Sequence, residues 1–457
     1  MKKSNLPEYL FAAVATALMV VDTSSAADYP STVLGLNPAA YYRLNETASP
    51  VAPDLAANGG SLGAAANAFY IGTPGGTYTH PINTGLIGNM DAAASFANGY
   101  VAASFTTNFN SRVFSAETWF YPNTGVSGCA LSSVDFFAAG RTGFLLYYGA
   151  GVAGFDWDLR MYIGVSTVTA ALIQTNTGSA SGNWYHVVLA SDGTNVNLYV
   201  NGASVGSRPL LASYLPASAA NLTMNGRSDG SFVLAGMAAR VAYYPTALSA
   251  AKVLAHYQNG TGAGAPSTYT TMVLGDGATG YWPLNDAVYT GPDPSTYPVA
   301  TNTGSLGSVA NAAFYPGSTP SVPGVPFTGF GANNLAAGLN GTVGDIQIPP
   351  QNLSTDNFSA VVWVKRDGFQ HGYSSMLFQR GANPSTATGL DFGNANEVRT
   401  GWNDDQNNSD YEFDYKLLIP DGIWSMVTAV WTDQYDSLCQ WRCRHECIER
   451  HAISLAA

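Results

Sequence analysis

Residues 29–46 read YPSTVLGLNPAAYYRLNE, and residues 269–286 read YTTMVLGDGATGYWPLND. Tyr29, Val33-Leu34-Gly35, Tyr41, Leu44 and Asn45 all return 240 residues later, as Tyr269, Val273-Leu274-Gly275, Tyr281, Leu284 and Asn285. Working outward, Gly60-Ser-Leu-Gly63, Asn67 and Phe69-Tyr70 return as Gly304-Ser-Leu-Gly307, Asn311 and Phe314-Tyr315. Phe114-Ser-Ala-Glu-Thr-Trp119 answers Phe358-Ser-Ala-Val-Val-Trp363, and Trp184 answers Trp424. Four matches in one order and at nearly one spacing predict two tandem copies of one domain. The spacing is too long for a solenoid repeat.

Composition narrows the class. Of 457 residues, 11% are charged, 46% hydrophobic and 12% aromatic. An average soluble chain is about 25% charged, and disordered or helical-bundle proteins use more still. The formal charge of −12 argues against nucleic acid, which needs a surplus of Lys and Arg. Within each copy short strands dominate. Asn183 to Ala190 is aromatic and β-branched, Val196 to Val200 alternates with period two, and Asp192-Gly193 between them is a hairpin turn. Phe114–Tyr121 and Phe232–Tyr244 are predicted as further strands. Ser249 to Tyr257 is the one helix, capped by Ser249 and stopped by Asn259-Gly260. Evenly spaced strands with turn residues between them predict an all-β sandwich or jelly roll.

The order Tyr41-Tyr-Arg-Leu-Asn-Glu46, Phe114-Ser-Ala-Glu-Thr-Trp-Phe120, Trp184-Tyr-His-Val-Val188, Leu198-Tyr-Val-Asn-Gly202, Gly236 to Tyr244 and His256-Tyr257 resembles the laminin-G-like, concanavalin A-like lectin/glucanase jelly rolls of secreted bacterial proteins. The resemblance covers 29–260 and resumes from about 269 to 432. It implies concanavalin A-like sandwiches in tandem, the second incomplete at its C-terminus. Relatives of this kind include carbohydrate-binding modules, adhesion domains and glycoside hydrolases, so the resemblance leaves the ligand open.

The resulting division is a signal peptide over 1–27, a first jelly roll over 28–260, a linker over 261–268, a truncated second jelly roll over 269–432 and an aberrant tail over 433–457. The signal peptide rests on Lys2 and Lys3, the 13-residue apolar run Tyr9–Val21 and the small residues before Ala26 and Ala27. That run is too short to span a bilayer, which needs about 20 residues. The tail gathers Cys439, Cys443, Cys447, His445 and His451. As a metal site its C-x3-C-x3-C spacing lacks the two close ligand pairs usual for zinc, and as a disulfide set it has an odd count. A frameshift is the favoured account, because the codons of Ser437 to Trp441 read one base on permit Leu-Tyr-Val-Asn-Gly, the strand at Leu198–Gly202. A second copy so cut short would expose strand edges and core surface.

No catalytic or metal residues are assigned. Asp410, Glu412 and Asp414 share one face of a strand, but the third carboxylate of the superfamily hydrolase pattern is missing, since Lys416 and Leu417 stand there. Glu117 has Val361 at the matching place and is read as a buried, hydrogen-bonded strand carboxylate. His186 and His256 are read as packing or capping residues, and Cys129 is the one cysteine outside the tail. Calcium is the one cofactor left open, at the oxygen-rich loops Asp192–Asn197 and Asn225–Gly230, both also explained as turns. Trp157 could stack on a sugar, with a core role favoured. The expectation is a secreted, non-enzymatic protein with no membrane span that binds a glycan or extracellular polymer. The alternative is a structural or adhesive spacer in a longer protein, and a glycoside hydrolase is the least supported reading.

Overall fold

The computed structural model describes residues 28–431 and 453–456, apart from 73–76, 83–91, 138–139, 150–153, 263–265, 292, 332–333, 352–357, 371–373, 381–386, 394–395 and 404–409. The architecture is all-β, built from antiparallel sheets in a jelly-roll sandwich. In the first sandwich one sheet runs in the order Leu55–Ala56, Ala68–Gly72, Gly99–Ala103, Leu222–Met224, Gly128–Phe137, Gly140–Tyr148, Trp157–Tyr162, Thr169–Thr175. We call it the front sheet. The back sheet runs Ala203–Pro209, Asn195–Val200, Tyr185–Asp192, Val113–Pro122, Gly236–Tyr244, Ala93–Phe96, Tyr78–Ile82.

Period-two alternation builds the core between them. From Val113–Pro122, Phe114, Ala116 and Phe120 point inward, as do Tyr185, Val187 and Leu189 from the neighbouring strand. They meet Phe144, Leu146, Tyr148, Trp157, Leu159 and Met161 from the front sheet. The alternate residues Glu117, Trp119, His186 and Val188 point away from the core, under a helical cap. In chain order the helices are α1 (Tyr29–Gly35), α2 (Ala250–Thr261) and α3 (Pro266–Gly275), and the cap is formed by α2 and α3. In α2 the Ser249 side chain accepts from the Lys252 amide at 3.3 Å, as expected of the cap. The helix runs past the expected stop at Asn259-Gly260, because Gly260 lies against the Trp119 indole, where a side chain would collide. The expected strand Phe232–Tyr244 begins only at Gly236, and Phe232 lies in a loop at φ +51°.

The stretches 29–46 and 269–286, here called leaders, pack across the molecule. The second leader sits on the first sandwich. Its strand Gly280–Trp282 pairs with Val241–Tyr243, Trp282 is fully buried in the first core, and its indole donates to the Ala66 carbonyl at 2.9 Å. The first leader sits on the second half, where Tyr42 and Leu44 pack against Ala300, Ala312 and Phe314. The contacts correspond pair by pair. The Tyr281 amide donates to Asn58 Oδ1 at 2.7 Å, and the Tyr41 amide to Asn302 Oδ1 at 2.8 Å. Asp286 Oδ1 accepts from the Ala57 amide at 2.9 Å, and Glu46 Oε1 from the Thr301 amide at 2.8 Å. Leu284 and Leu44 share a left-handed backbone, at φ +58° and +53°, unusual for a γ-branched side chain. Gly304 is required because a Cβ there would stand 2.7 Å from the Ala39 carbonyl oxygen. The 266–268 end of the expected linker thus belongs to α3, which packs beside α2.

Among the described residues, the second half holds four smaller sheets. Phe358–Lys365 pairs with Trp424–Trp431, whose other edge takes the short strand Ile453–Ala456. A four-stranded sheet, Ser375–Arg380 to Asp410–Leu418, supplies Leu390, Phe392 and Val398 to a small core with Val427 and Ala429. Among the described residues, the outer edge of Phe358–Lys365 has no strand partner, although Val113–Pro122 is paired on both sides.

Candidate functional site

Two places in the first sandwich gather chemistry-bearing side chains. One lies under the helical cap. Glu117 from the central back strand, His186 from its neighbour and His256 from α2 are all fully buried, with one ligand-capable atom of each within 4.8 Å of the others. His256 faces down because Val253, His256 and Gly260 share one helical stripe. His256 Nδ1 is 2.8 Å from Glu117 Oε2, and its Nε2 is 2.9 Å from Asp276 Oδ2 of the second leader. Tyr269 Oη donates to Glu117 Oε1 at 2.6 Å, and Tyr244 Oη to Oε2 at 3.2 Å. Lys252 Nζ stands 2.8 Å from Asp276 Oδ1. Burial drives the Glu117 carboxyl up, but the two imidazoles outweigh it and hold it below the usual range. Burial likewise drives His256 down, yet the Glu117 charge and the hydrogen bonds to Glu117 and Asp276 raise it to about 9. Glu117 is therefore the buried, hydrogen-bonded strand carboxylate expected from sequence. Its own side chain has no exposure to solvent.

The second place is the outer face of the front sheet. The back sheet's outer face lies under α2 and α3, whereas no helix contributes to the small cluster here, formed by Cys129, Val134, Leu145, Tyr147 and Tyr162. Arginines roof it. Arg160 lies 5.3 Å over the Tyr147 ring, Arg141 5.8 Å over Tyr162, and Arg227 4.7 and 4.6 Å over Phe136 and Phe232. Arg160 is held edge-on by Asp158, with Nε to Oδ1 at 3.0 Å and Nη2 to Oδ2 at 2.6 Å, and Gln174 Nε2 reaches the same carboxylate at 3.2 Å. Arg227 pairs in the same two-pronged way with Asp229. Phe232 caps this strip, 45% exposed, in a left-handed conformation that its loop must impose, with the Cys129 amide donating to its carbonyl at 2.8 Å. The strip offers the exposed Phe232 ring, the partly exposed Arg160 and Arg227 guanidinium faces and the Asp229 carboxylate, while Asp158 is buried beneath Arg160 and fixes it.

The remaining sequence candidates resolve individually. Trp157 is a core residue, fully buried, with its indole donating to Ser179 Oγ at 3.0 Å. Its neighbour Asp158 is the one that faces the strip. Both oxygen-rich loops are turns in the structure. Asp192 Oδ1 accepts from the Thr194 and Asn195 amides at 2.8 and 2.6 Å, and Asn225 Nδ2 donates to the Gly99 and Leu234 carbonyls at 3.0 and 2.7 Å. Asp410, Glu412 and Asp414 lie on the strand Asp410–Leu418 as expected, and their side chains are outside the described residues. So are Cys439, Cys443, Cys447, His445 and His451, together with the expected signal peptide. A cleft of about 460 Å³ between the halves, lined by Val51, Leu55, Phe69, Ser104 and Asn340, presents no charged side chain. No helix among the described residues is long and apolar enough to cross a membrane.

Sequence reading treated the buried residues one at a time and missed their convergence. One available signal was that the places matching Glu117 and His186 in the later stretch hold Val361 and Met426, so that both are absent there together. Arg160, Asp158, Arg227 and Phe232 gave no signal, because neither their spacing nor their residue types form a motif.

Residues 95–254 match the Laminin_G_3 family, described as the concanavalin A-like lectin/glucanases superfamily. No curated protein matches the chain. Among solved structures, a native heptameric SAP-like pentraxin of Limulus polyphemus is 16% identical, with 31% of this chain and 68% of that chain covered and a TM-score of 0.26. Domain 4 of AbnA, a GH43 extracellular arabinanase of Geobacillus stearothermophilus in complex with arabinotriose, is 16% identical over 45% of this chain and 98% of that one, at a TM-score of 0.30. A mutant sialidase of Trypanosoma rangeli displaying trans-sialidase activity is 14% identical over 43% and 30%, at a TM-score of 0.29.

Proposed function

We propose that this is an exported, non-enzymatic protein of two tandem sandwich repeats that binds a glycan or related extracellular polymer on the front sheet of the first repeat. The observation that carries the reading is the strip of Arg160, Arg227, Asp229 and Phe232, braced by Asp158 and Gln174, on the outer face of the first sandwich's front sheet, over which no helix packs among the described residues. Sugars present hydroxyl pairs that donate and accept together, and an apolar C–H face. The partly exposed Arg160 and Arg227 and the Asp229 carboxylate match the first, and the exposed Phe232 ring matches the second. The non-enzymatic part of the reading is supported by the burial of Glu117, a carboxylate paired with a histidine but closed off from solvent. The folding units of this reading are the first sandwich with leader 269–286, and the second half with leader 29–46.

A polysaccharide pull-down with the full chain tests it. Binding that falls at least tenfold in Arg160→Ala and Phe232→Ala, with the fold intact by circular dichroism, supports the strip. Binding unchanged by both variants removes it. An intact chain that retains no glycan favours the spacer reading, and release of reducing sugar would make the protein an enzyme.

A further inference from the structure

We propose that Glu117, His186 and His256 hold one divalent metal ion, zinc by its chemistry, in a closed structural site that ties α2 to the two central strands of the back sheet. The starting point is His186. It is fully buried, and neither Nδ1 nor Nε2 has a hydrogen-bond partner. Its ring is packed 4.9 Å from Trp119 and 6.3 Å from Tyr257, and its Nε2 stops 3.8 Å short of Glu117 Oε1. A buried imidazole with both nitrogens unsatisfied is costly, and an ion or water is one of the few things that explain it.

The other groups are arranged as a metal site needs them. Ligand atoms about 2.0–2.1 Å from a tetrahedral zinc stand roughly 3.3 Å apart. The separations here are 2.8 Å from His256 Nδ1 to Glu117 Oε2 and 3.8 Å from His186 Nε2 to Glu117 Oε1, and one ligand atom from each of the three residues lies within 4.8 Å of the others, so small side-chain shifts bring the set to that value. His256 also has the outer partner typical of a ligating histidine, since its far nitrogen, Nε2, is held by the Asp276 carboxylate at 2.9 Å. That leaves Nδ1 directed at the cluster. Glu117 accepts at most three hydrogen bonds here, from Tyr269, Tyr244 and His256, and a carboxylate has about four lone-pair sites. On binding, the proton between His256 Nδ1 and Glu117 leaves to solvent and the ion takes its place, with water or the Tyr269 hydroxyl as the fourth donor. Two imidazoles and one carboxylate suit zinc rather than calcium or magnesium, which take oxygen sets. The second half supplies an independent observation. At the places of Glu117 and His186 it has Val361 and Met426, in the same strand register beside Trp363, so the carboxylate and the imidazole are lost as a pair.

The test is to unfold the full chain in chelator, refold it with cobalt or zinc, and measure bound metal, the visible ligand-field absorption of cobalt and the melting temperature. One metal per chain is expected, with nitrogen- and oxygen-type cobalt absorption and a melting temperature several degrees higher with zinc. Glu117→Val with His186→Met, the pair present in the second half, is expected to fold and to lose the metal. Asp276→Asn is expected to bind at least about tenfold more weakly. The proposal is overturned if the refolded native chain holds no stoichiometric metal and zinc leaves its melting unchanged. It is equally overturned if the double variant retains the ion with thiolate charge-transfer absorption, which would assign it to Cys439, Cys443 and Cys447.

Discussion

The strands Val113–Pro122 and Phe358–Lys365 begin alike, with Phe-Ser-Ala, and each carries a Trp at the sixth position of that motif. Each pairs with a strand that starts at or just after a second Trp, Trp184 or Trp424. In the first sandwich every residue from Phe114 to Phe120 is buried, whereas in the second half Val361 is 50% exposed and Trp363 half-buried. The difference is in what lies on top. Trp119 is covered by α2 and donates to Tyr269 at 2.8 Å, while the Trp363 ring stands against the first leader's Tyr29 and against Phe327 and Phe330. The same strand motif therefore tolerates a polar or an apolar outer face, and the covering layer decides which is needed. Under a sealed cap, charges must be paired with one another. In the second half, Val361 and Met426 require no partner.

The widest test of this contrast is truncation. A chain cut after residue 260 removes Trp282, Tyr269 and Asp276 from the first sandwich, and is expected to show no cooperative melting transition by circular dichroism. Residues 47–289 are expected to show one. Next in size, Trp282→Ala should cost about 3–5 kcal/mol in urea unfolding. Tyr42→Ala, at the equivalent place on the less buried second half, should cost clearly less; equal costs would show that the two leaders are held alike. Glu117→Val alone should cost about 3–5 kcal/mol in chelator-treated protein, because it leaves the buried His256 without its Glu117 counter-charge. Adding His186→Met should recover part of that loss, and a double variant worse than the single would break the comparison with Val361 and Met426.

The smallest expected effect depends on pH. His80 is 2.9 Å from Asp54 Oδ2 and 3.1 Å from the Asp286 carbonyl, so it fastens the second leader to the first sandwich. Tyr78, Tyr70 and Asp286 surround it. Burial pulls its pKa down, but the hydrogen bonds to Asp54 and Asp286 raise it above the model-peptide value of 6.5. A raised histidine stabilises fully below its unfolded pKa, and that contribution is lost as pH rises through the folded value. The gap in melting temperature between the wild type and His80→Gln should be largest below pH 6.5 and shrink above neutrality. A gap that widened on raising the pH would contradict this account.

Much of the first sandwich was legible because its strands announce themselves locally. Val196–Val200 alternates and is bracketed by Asp192-Gly193 and Asn201-Gly202, and the helix at Ser249 carries its own cap. What could not be read was where the leaders dock. Tyr29-to-Glu46 and Tyr269-to-Asp286 have the same pattern, so either could fill either groove, and the choice rests on contacts more than 200 residues apart, such as Ala57 to Asp286. The Phe232 loop was misjudged as strand because its apolar residues cover the sheet's outer face instead of extending a ladder. The strip's arginines were silent because stacking on aromatics is a tertiary relation with no fixed sequence interval.

The exchanged leaders also set an order of events during synthesis. The groove on the first sandwich can be filled only after Trp282 has emerged from the ribosome, and Tyr41 must wait until Asn302 exists. Both closures are long-range, which slows folding. At typical translation rates of about 5–20 residues per second, the nascent first sandwich therefore stays open for several seconds after its own strands are complete, the period in which a chaperone, or another nascent chain's leader, has access to it.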